Sequence, residues 1–187
     1  KGRPSFNPLI VHLPDLVAAQ RIAAFPQAAL DLAALYWPGP LKKVLPLKAE
    51  SGIASLVTAG LTTIALRVPA HPAMQDLLRV CGKPLAAPSA NASGSISPTR
   101  AAHVAKSLSG RLPLIVDAGA TEQGLESTIV AVAADGSLRL LRPGPVELGL
   151  ALETGGAIEA PGQLASHYAP SKPVRLNVRH ADDDEWL

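Results

Sequence analysis

The chain has 187 residues, 48% hydrophobic, 3% aromatic and 17% charged, with a formal net charge of +2. That suits one domain, or one domain plus an appendage, with a core of Ala, Leu, Val and Ile, and it is too apolar for disorder and too weakly basic to argue for nucleic acid. Cys81 is the sole cysteine, which excludes an intrachain disulfide and a thiolate zinc cluster, and no apolar run approaches the roughly 20 residues of a bilayer span.

Leu9 to Leu13 reads as a short buried strand between Pro8 and Pro14. Leu16 to Tyr36 is Ala/Leu-rich and helical, divided by Pro26, because proline suits a first turn and breaks an interior. Trp37-Pro-Gly-Pro40 is a rigid turn into a strand over Leu41 to Leu47, which Lys42 and Lys43 interrupt. Leu61 to Val68 is a strand whose alternation sets Thr63, Ala65 and Arg67 on one face and Ile64, Leu66 and Val68 on the other. Pro72 to Cys81 is a helix closed by Gly82, and Pro84 to Ala87 is a brief strand. Thr99 to Leu108 is a helix capped by Ser97 or Thr99. Strands follow over Leu112 to Val116 and Ser127 to Val132, and a hairpin turn at Asp135-Gly136 leads to Leu138 to Leu141. Pro145 to Leu152 is a last helix. Strands alternating with helices, plus one hairpin, predict an α/β domain with a mixed sheet. From Gly155 to Pro173 the composition turns to Gly, Ala, Pro and Ser and reads as a linker, after which Val174 to Val178 opens a second unit.

Four polar groups stand out. Lys1, Arg3, Ser5 and Asn7 share one face of an extended segment, which suits phosphate or carboxylate, or equally an ordinary solvated edge. Thr63 and Arg67 share a strand face, where a buried charge needs an anionic partner, either a substrate carboxylate or a protein Asp or Glu. Pro88-Ser89-Ala-Asn91-Ala-Ser93-Gly94 can bring backbone amides close to a phosphate, with Ser89, Asn91 and Ser97 adding side-chain donors, or it is a plain polar turn. Glu126-Ser127-Thr128 and Arg142-Pro-Gly144 become neighbours across the hairpin, as a pocket wall or as an exposed rim. His12, His71 and His167 match no metal spacing, so no metal ligand is assigned. No GxSxG elbow or GxxxxGK[ST] loop is present.

The phrases KGRPSFNPLIVH, WPGPL, ALRVPAHP, PLAAPSANASGSISPT, GLESTIV and LLRPG occur in the order seen in YrdC-type L-threonylcarbamoyl-AMP synthases, which the chain resembles from residue 1 to about 173. APGQLASHYAPSKP resembles the linker of the family's long form. The resemblance implies a YrdC-like twisted mixed sheet flanked by helices with an open concave face: a catalytic domain over 1–154, a linker or lid over 155–173, and the start of a C-terminal domain over 174–187. A family phrase that precedes Lys1 and supplies part of the threonine site is expected upstream, and the usual Thr after WPGPL is replaced by Lys42-Lys43.

The implied reaction joins L-threonine, bicarbonate and ATP into L-threonylcarbamoyl-AMP and pyrophosphate, for the t6A modification of tRNA by downstream transferase machinery. The resemblance assigns Lys1, Arg3, Asn7, Thr63, Ser89, Asn91, Ser97, Arg142 and Tyr168 to ATP, with Lys1 and Arg3 stabilising charge. It assigns His12, Arg67, Ala87 and Ser127 to L-threonine. Mg²⁺ is expected only as the companion of ATP, and direct tRNA binding is left open. The setting is cytoplasmic, with no membrane partner. The alternatives are an RNA-binding YrdC-like module and the carbamoyl-transfer domain of a hydrogenase-maturation type protein.

Overall fold

A computed structural model describes residues 2–156, 158–163 and 180. In chain order the elements are β1 (Ile10–His12), α1 (Leu16–Ile22), α2 (Gln27–Tyr36), β2 (Leu41–Pro46), α3 (Ser55–Thr58), β3 (Thr63–Arg67), α4 (Pro72–Cys81), β4 (Leu85–Ala87), α5 (Ala101–Ser107), β5 (Thr128–Val132) and β6 (Leu138–Arg142). They form the expected α/β arrangement, a six-stranded mixed sheet ordered β4-β1-β3-β2-β5-β6. The β1/β3 and β2/β5 pairs are parallel, and the other three are antiparallel.

The period of two along each strand sorts the sheet into two faces. Val11, Leu41, Leu45, Ile64, Leu66, Val130 and Val132 point to one face and pack against Ala19, Ile22, Ala29 and Leu32 of α1 and α2. This is the main core. The opposite face carries a smaller apolar patch of Ile10, Val44, Ala65, Ile129, Ala131 and Leu141. Asp15 caps α1, its Oδ1 accepting from the Ala18 N–H at 2.7 Å. Pro26 separates α1 from α2, and Gly82, in the left-handed region at φ 61°, ends α4.

Four local expectations are corrected. Leu112 to Val116 forms no strand. Pro113 has no N–H to give, Leu114 and Val116 are exposed, and no strand pairs with the segment among the described residues. Pro145 to Leu152 is not helical. The Thr128 hydroxyl donates to the Val146 carbonyl and accepts from the Val146 N–H, both at 2.9 Å, which takes the two backbone groups a helix would use. That segment instead returns along β6 through a bridge between Leu140 and Leu152. Neither Ser97 nor Thr99 caps α5, whose N-cap is Arg100 without a side-chain bond. The short helix α3 was not anticipated.

Residues 158–163, expected in the linker, lie against the sheet domain. Ala160 is fully buried within the smaller apolar patch. Arg139 holds this return with ion pairs to Glu153 at 2.7 Å and Glu159 at 2.9 Å. The remainder of the expected linker and the proposed second unit, 164–179 and 181–187, lie outside the described residues.

Lys42 and Lys43 do not interrupt β2; both are buried within it. Lys43 shares the main-core face with Leu41 and Leu45. Its ammonium stands 3.4 Å from the centroid of the Trp37 ring, and Nζ has no hydrogen-bond partner among the described residues. Burial lowers its pKa from 10.5 to about 7. The unfolded chain therefore binds this proton up to pH 10.5 and the folded chain only to about 7, so stability rises with pH across that window. Lys43→Met removes the charge at similar volume. It is expected to raise the unfolding free energy at pH 7 by about 1–4 kcal/mol and to make the rise toward pH 9 shallower, read from urea midpoints at the two pH values.

Candidate functional site

Strand register builds the site. His12 of β1 lies beside Arg67 of β3. On β2, Lys43 pairs with Leu66, so one step further Lys42 falls opposite Arg67. Lys42 is in turn the partner of Ile129, and Ile129 that of Arg142 after a one-residue register shift in the β5/β6 pair. His12, Arg67, Lys42 and Arg142 thus stand in one row across the sheet, on the face away from α1 and α2.

In front of this row lies a cavity of about 210 Å³. His12, Lys42 and Arg67 form its floor. Arg3, Asn7, Ala87, Ser89, Asn91 and Ser93 form its walls, with Glu126 and Pro161 at the β5/β6 side. Ala87, on β4 opposite Ile10, keeps the wall low. The loop after β4 is fixed by Asn91, which is buried and donates from Nδ2 to the Ser95 carbonyl at 2.6 Å.

Glu126 supplies the counter-charge. Its Oε1 accepts from the Ser97 hydroxyl at 2.5 Å, and its Oε2 lies 3.1 Å from Arg142 Nη2 and 3.7 Å from Lys42 Nζ. Burial alone would raise its pKa, but Lys42, the Ser97 bond, Arg142 and Arg67 outweigh burial and hold it below the usual value. Arg142 also donates to the Ser127 carbonyl from Nε at 3.0 Å and Nη2 at 2.6 Å, and from Nη1 to the Pro161 carbonyl at 3.2 Å.

Arg67 behaves differently. Its Nε donates to the Gly39 carbonyl at 3.0 Å, and no carboxylate lies within 4 Å of it among the described residues. Burial, partly offset by Glu126, lowers its pKa, so the guanidinium is short of solvation on the cavity floor. His12 faces it with Nδ1 3.3 Å from the Leu85 carbonyl. A carbonyl only accepts, so Nδ1 carries the proton and Nε2 is an acceptor. Burial, Arg67 and Lys42 together lower the His12 pKa from 6.5 to about 4, so the ring is neutral at pH 7. Asn7 is buried and also lines the cavity, with Oδ1 lacking a hydrogen-bond partner among the described residues. Arg3 donates to the carbonyls of Asn7 and Pro8.

The cavity therefore gathers Arg3, Asn7, His12, Arg67, Ala87, Ser89 and Asn91 of the residues singled out in the sequence. Ser97, Ser127 and Arg142 stand one layer behind, connected to it through Glu126 or to each other. Thr63 does not join them: it pairs with Pro46 at the other end of β3 and is absent from the cavity lining. Lys1 and Tyr168 lie outside the described residues. Two lining residues were assigned no role: Glu126, which lies in GLESTIV, and Lys42, named as a departure after WPGPL. The signal for Lys42 was available, since it alternates with Val44 on a strand paired to the Arg67 strand.

Among the described residues no three His, Cys, Asp or Glu side chains converge as metal ligands. Glu126 is the one carboxylate in the cavity lining, and it is already engaged by Ser97, Arg142 and Lys42. A dedicated Mg²⁺ site does not fit this donor set; a metal would arrive on the phosphates of a nucleotide. Cys81, on α4, is exposed and does not line the cavity. Cations, amides and neutral acceptors without an evident nucleophile suit binding and charge neutralisation of anions.

A family described as Telomere recombination (Sua5_yciO_yrdC) matches residues 1–144. The chain is 43% identical to the threonylcarbamoyl-AMP synthase of Bacillus subtilis, over 94% of this chain and 54% of that protein. It is 37% identical to the threonylcarbamoyl-AMP synthase of Schizosaccharomyces pombe, over 100% and 55% respectively. The crystal structure of P. abyssi Sua5 complexed with L-threonine superposes with a TM-score of 0.84 at 38% identity, covering 91% of this chain and 54% of that one. E. coli YciO, at 20% identity and a TM-score of 0.67, covering 77% of this chain and 69% of that one, shares the fold. The chain spans about half the length of the curated relatives it matches.

The His12 environment sets a pH dependence. Its unfolded imidazole takes a proton near pH 6.5 and its folded one only near 4, so stability falls as pH drops through that interval. Of the five histidines, one is expected to titrate near pH 4 by proton NMR. Its resonance should vanish in His12→Gln, and with it part of the loss of stability between pH 6.5 and 4.

Proposed function

The chain belongs to the Sua5/YciO/YrdC family, and we propose that its concave face forms L-threonylcarbamoyl-AMP and pyrophosphate from L-threonine, bicarbonate and ATP. The observation that carries this reading is Arg67: a half-buried guanidinium on a cavity floor, with no carboxylate within 4 Å among the described residues, beside a neutral histidine. An amino-acid carboxylate is the ligand such a group lacks. The names of the relatives, together with the L-threonine bound to P. abyssi Sua5, support threonine as that amino acid.

In this reading Arg67 pairs with the α-carboxylate, and His12 Nε2 accepts a hydrogen bond from the threonine amine or hydroxyl. Ala87 leaves room for the side chain. Bicarbonate takes up a proton and loses water to give carbon dioxide, and the neutral amine adds to its carbon, forming the C–N bond of the carbamate and releasing a proton. A carbamate oxygen then attacks the α-phosphorus of ATP, and the bond to pyrophosphate breaks. Arg3, Asn7, Ser89 and Asn91 flank the phosphates, and Mg²⁺ accompanies ATP as part of that substrate. Ser97, Ser127 and Arg142 act through Glu126 and the backbone around it. Catalysis then rests on positioning and charge neutralisation, as in other transfers at phosphorus.

The product suits a transferase that places the threonylcarbamoyl group on tRNA, and we place the reaction in the cytoplasm, which suits the free Cys81 thiol. Among the described residues no helix is long and apolar enough to cross a membrane. An RNA-binding role finds less support, because among the described residues no aromatic side chain lines the cavity to stack a base.

The test is pyrophosphate release with ATP and labelled bicarbonate, with and without L-threonine. Threonine-dependent release is expected; a rate indifferent to every amino acid would refute the reading. Arg67→Ala is expected to raise KM for L-threonine about 10- to 100-fold, the worth of a hydrogen-bonded charge, while shifting KM for ATP far less. Equal shifts in the two constants would remove Arg67 from the carboxylate role.

A further inference from the structure

We infer that Lys42 holds the second carboxylate of the reacting amino acid, making this cavity selective for a dicarboxylate whose first carboxylate rests on Arg67. The inference rests on the reading above and assigns the step that reading leaves without a residue: where the carbamate group itself is bound.

The geometry is that of two cations side by side. Lys42 and Arg67 occupy opposed positions on antiparallel neighbours β2 and β3, where side chains of one face start about 5 Å apart. Both line the cavity. A carboxylate on the α-carbon and a second on its nitrogen project from adjacent atoms, so one small molecule can reach both. Lys42 is 6% exposed and shares its protein counter-ion: Glu126 Oε2 is 3.7 Å away and lies nearer to Arg142, at 3.1 Å.

The charged groups around Lys42 are Arg67 on β3, Arg142 on β6 and Glu126 ahead of β5, with neutral His12 on β1 completing the row. Lys42, Arg67 and Arg142 outnumber the lone Glu126 three to one. This imbalance has a measurable consequence. Burial, Arg142 and Arg67 lower the Lys42 pKa from 10.5 to about 7 against the pull of Glu126, so near neutral pH part of the amine is unprotonated. A bound carboxylate adds the missing anion and raises that pKa again. Binding of the right ligand must then take up a proton, and a ligand without the second carboxylate must not.

Succinate mimics the carbamate of an amino acid, with a methylene in place of the nitrogen; butyrate lacks the second carboxylate. Calorimetry at pH 7.5 in buffers of different ionisation enthalpy reads both affinity and proton uptake. Succinate is expected to bind about tenfold more tightly than butyrate, the worth of one charged hydrogen bond, and to take up a fraction of a proton. Lys42→Met should abolish the preference and the uptake. Lys42→Arg should keep the preference but take up no proton, because a guanidinium is already charged. L-threonine affinity measured without bicarbonate should change less than threefold in either variant, whereas KM for bicarbonate should rise in Lys42→Met.

Equal loss of threonine and succinate binding in both variants would reduce Lys42 to a structural role. A succinate preference that survives Lys42→Met would also overturn the inference. The two readings separate cleanly. Threonine-dependent pyrophosphate release with a bicarbonate KM untouched by Lys42→Met rejects this inference alone. A Lys42-dependent preference for succinate without pyrophosphate release rejects the proposed reaction alone.

Discussion

A single carboxylate decides the architecture of the concave face. Three basic side chains from three strands cannot share a half-buried surface without an anion, and Glu126 is the one that β5 brings to them. Ser97 anchors one of its oxygens, while Arg142 and Lys42 converge on the other. Through Arg142 the same carboxylate is connected to the Ser127 backbone and to Pro161. The loop before α5, the strand β5, the β6 edge and the returning segment 158–163 therefore meet at one ionic centre. Gly144 permits the approach: a Cβ there would stand 2.5 Å from the Glu126 carbonyl and 2.4 Å from the Thr128 nitrogen. Only a residue without a side chain fits where β6 ends against this segment.

The network leaves one end open. Glu126 neutralises its nearest cations, but Arg67 lies beyond 4 Å of it and donates instead to the Gly39 carbonyl. The fold thus solves the charge problem at the β5/β6 side and leaves it unsolved at the β1/β3 side, where the cavity is. Retaining a half-buried cation without its anion costs stability. A site that binds anions recovers that cost on binding, which is why the imbalance belongs to the cavity rather than to the core.

The elements governed by local rules were readable from the sequence. The proline boundary at Pro26, the Gly82 cap and the Asp135-Gly136 turn fix their elements with nearby residues only, and α4 spans Pro72 to Cys81 as expected. The misses came from tertiary bonds. The Pro145 to Leu152 segment loses its helix to one threonine hydroxyl that is 18 residues away, and Leu112 to Val116 has strand composition but no strand to pair with among the described residues. In the site, alternation on β3 placed Arg67 correctly, but Thr63, on the same face, sits too far along the strand to share its cavity. Strand face is legible from sequence; position along the neighbouring strand is not, because register depends on which strands become neighbours.

Lys42 and Lys43 show what burial alone can and cannot indicate. Both belong to β2, both are buried, and both have a pKa near 7. For Lys43 burial is the whole cause, and its face is the main core, with the Trp37 ring against its ammonium. For Lys42 burial acts together with Arg142 and Arg67, and its face opens on the cavity. One residue of strand separates a lysine that costs stability from a lysine placed to meet a substrate. A displaced pKa marks strained charge; what the charge faces decides whether the strain is spent on folding or on binding. Here the sheet's period of two makes that decision, turning Lys43 toward the helices and Lys42 toward the row of His12, Arg67 and Arg142.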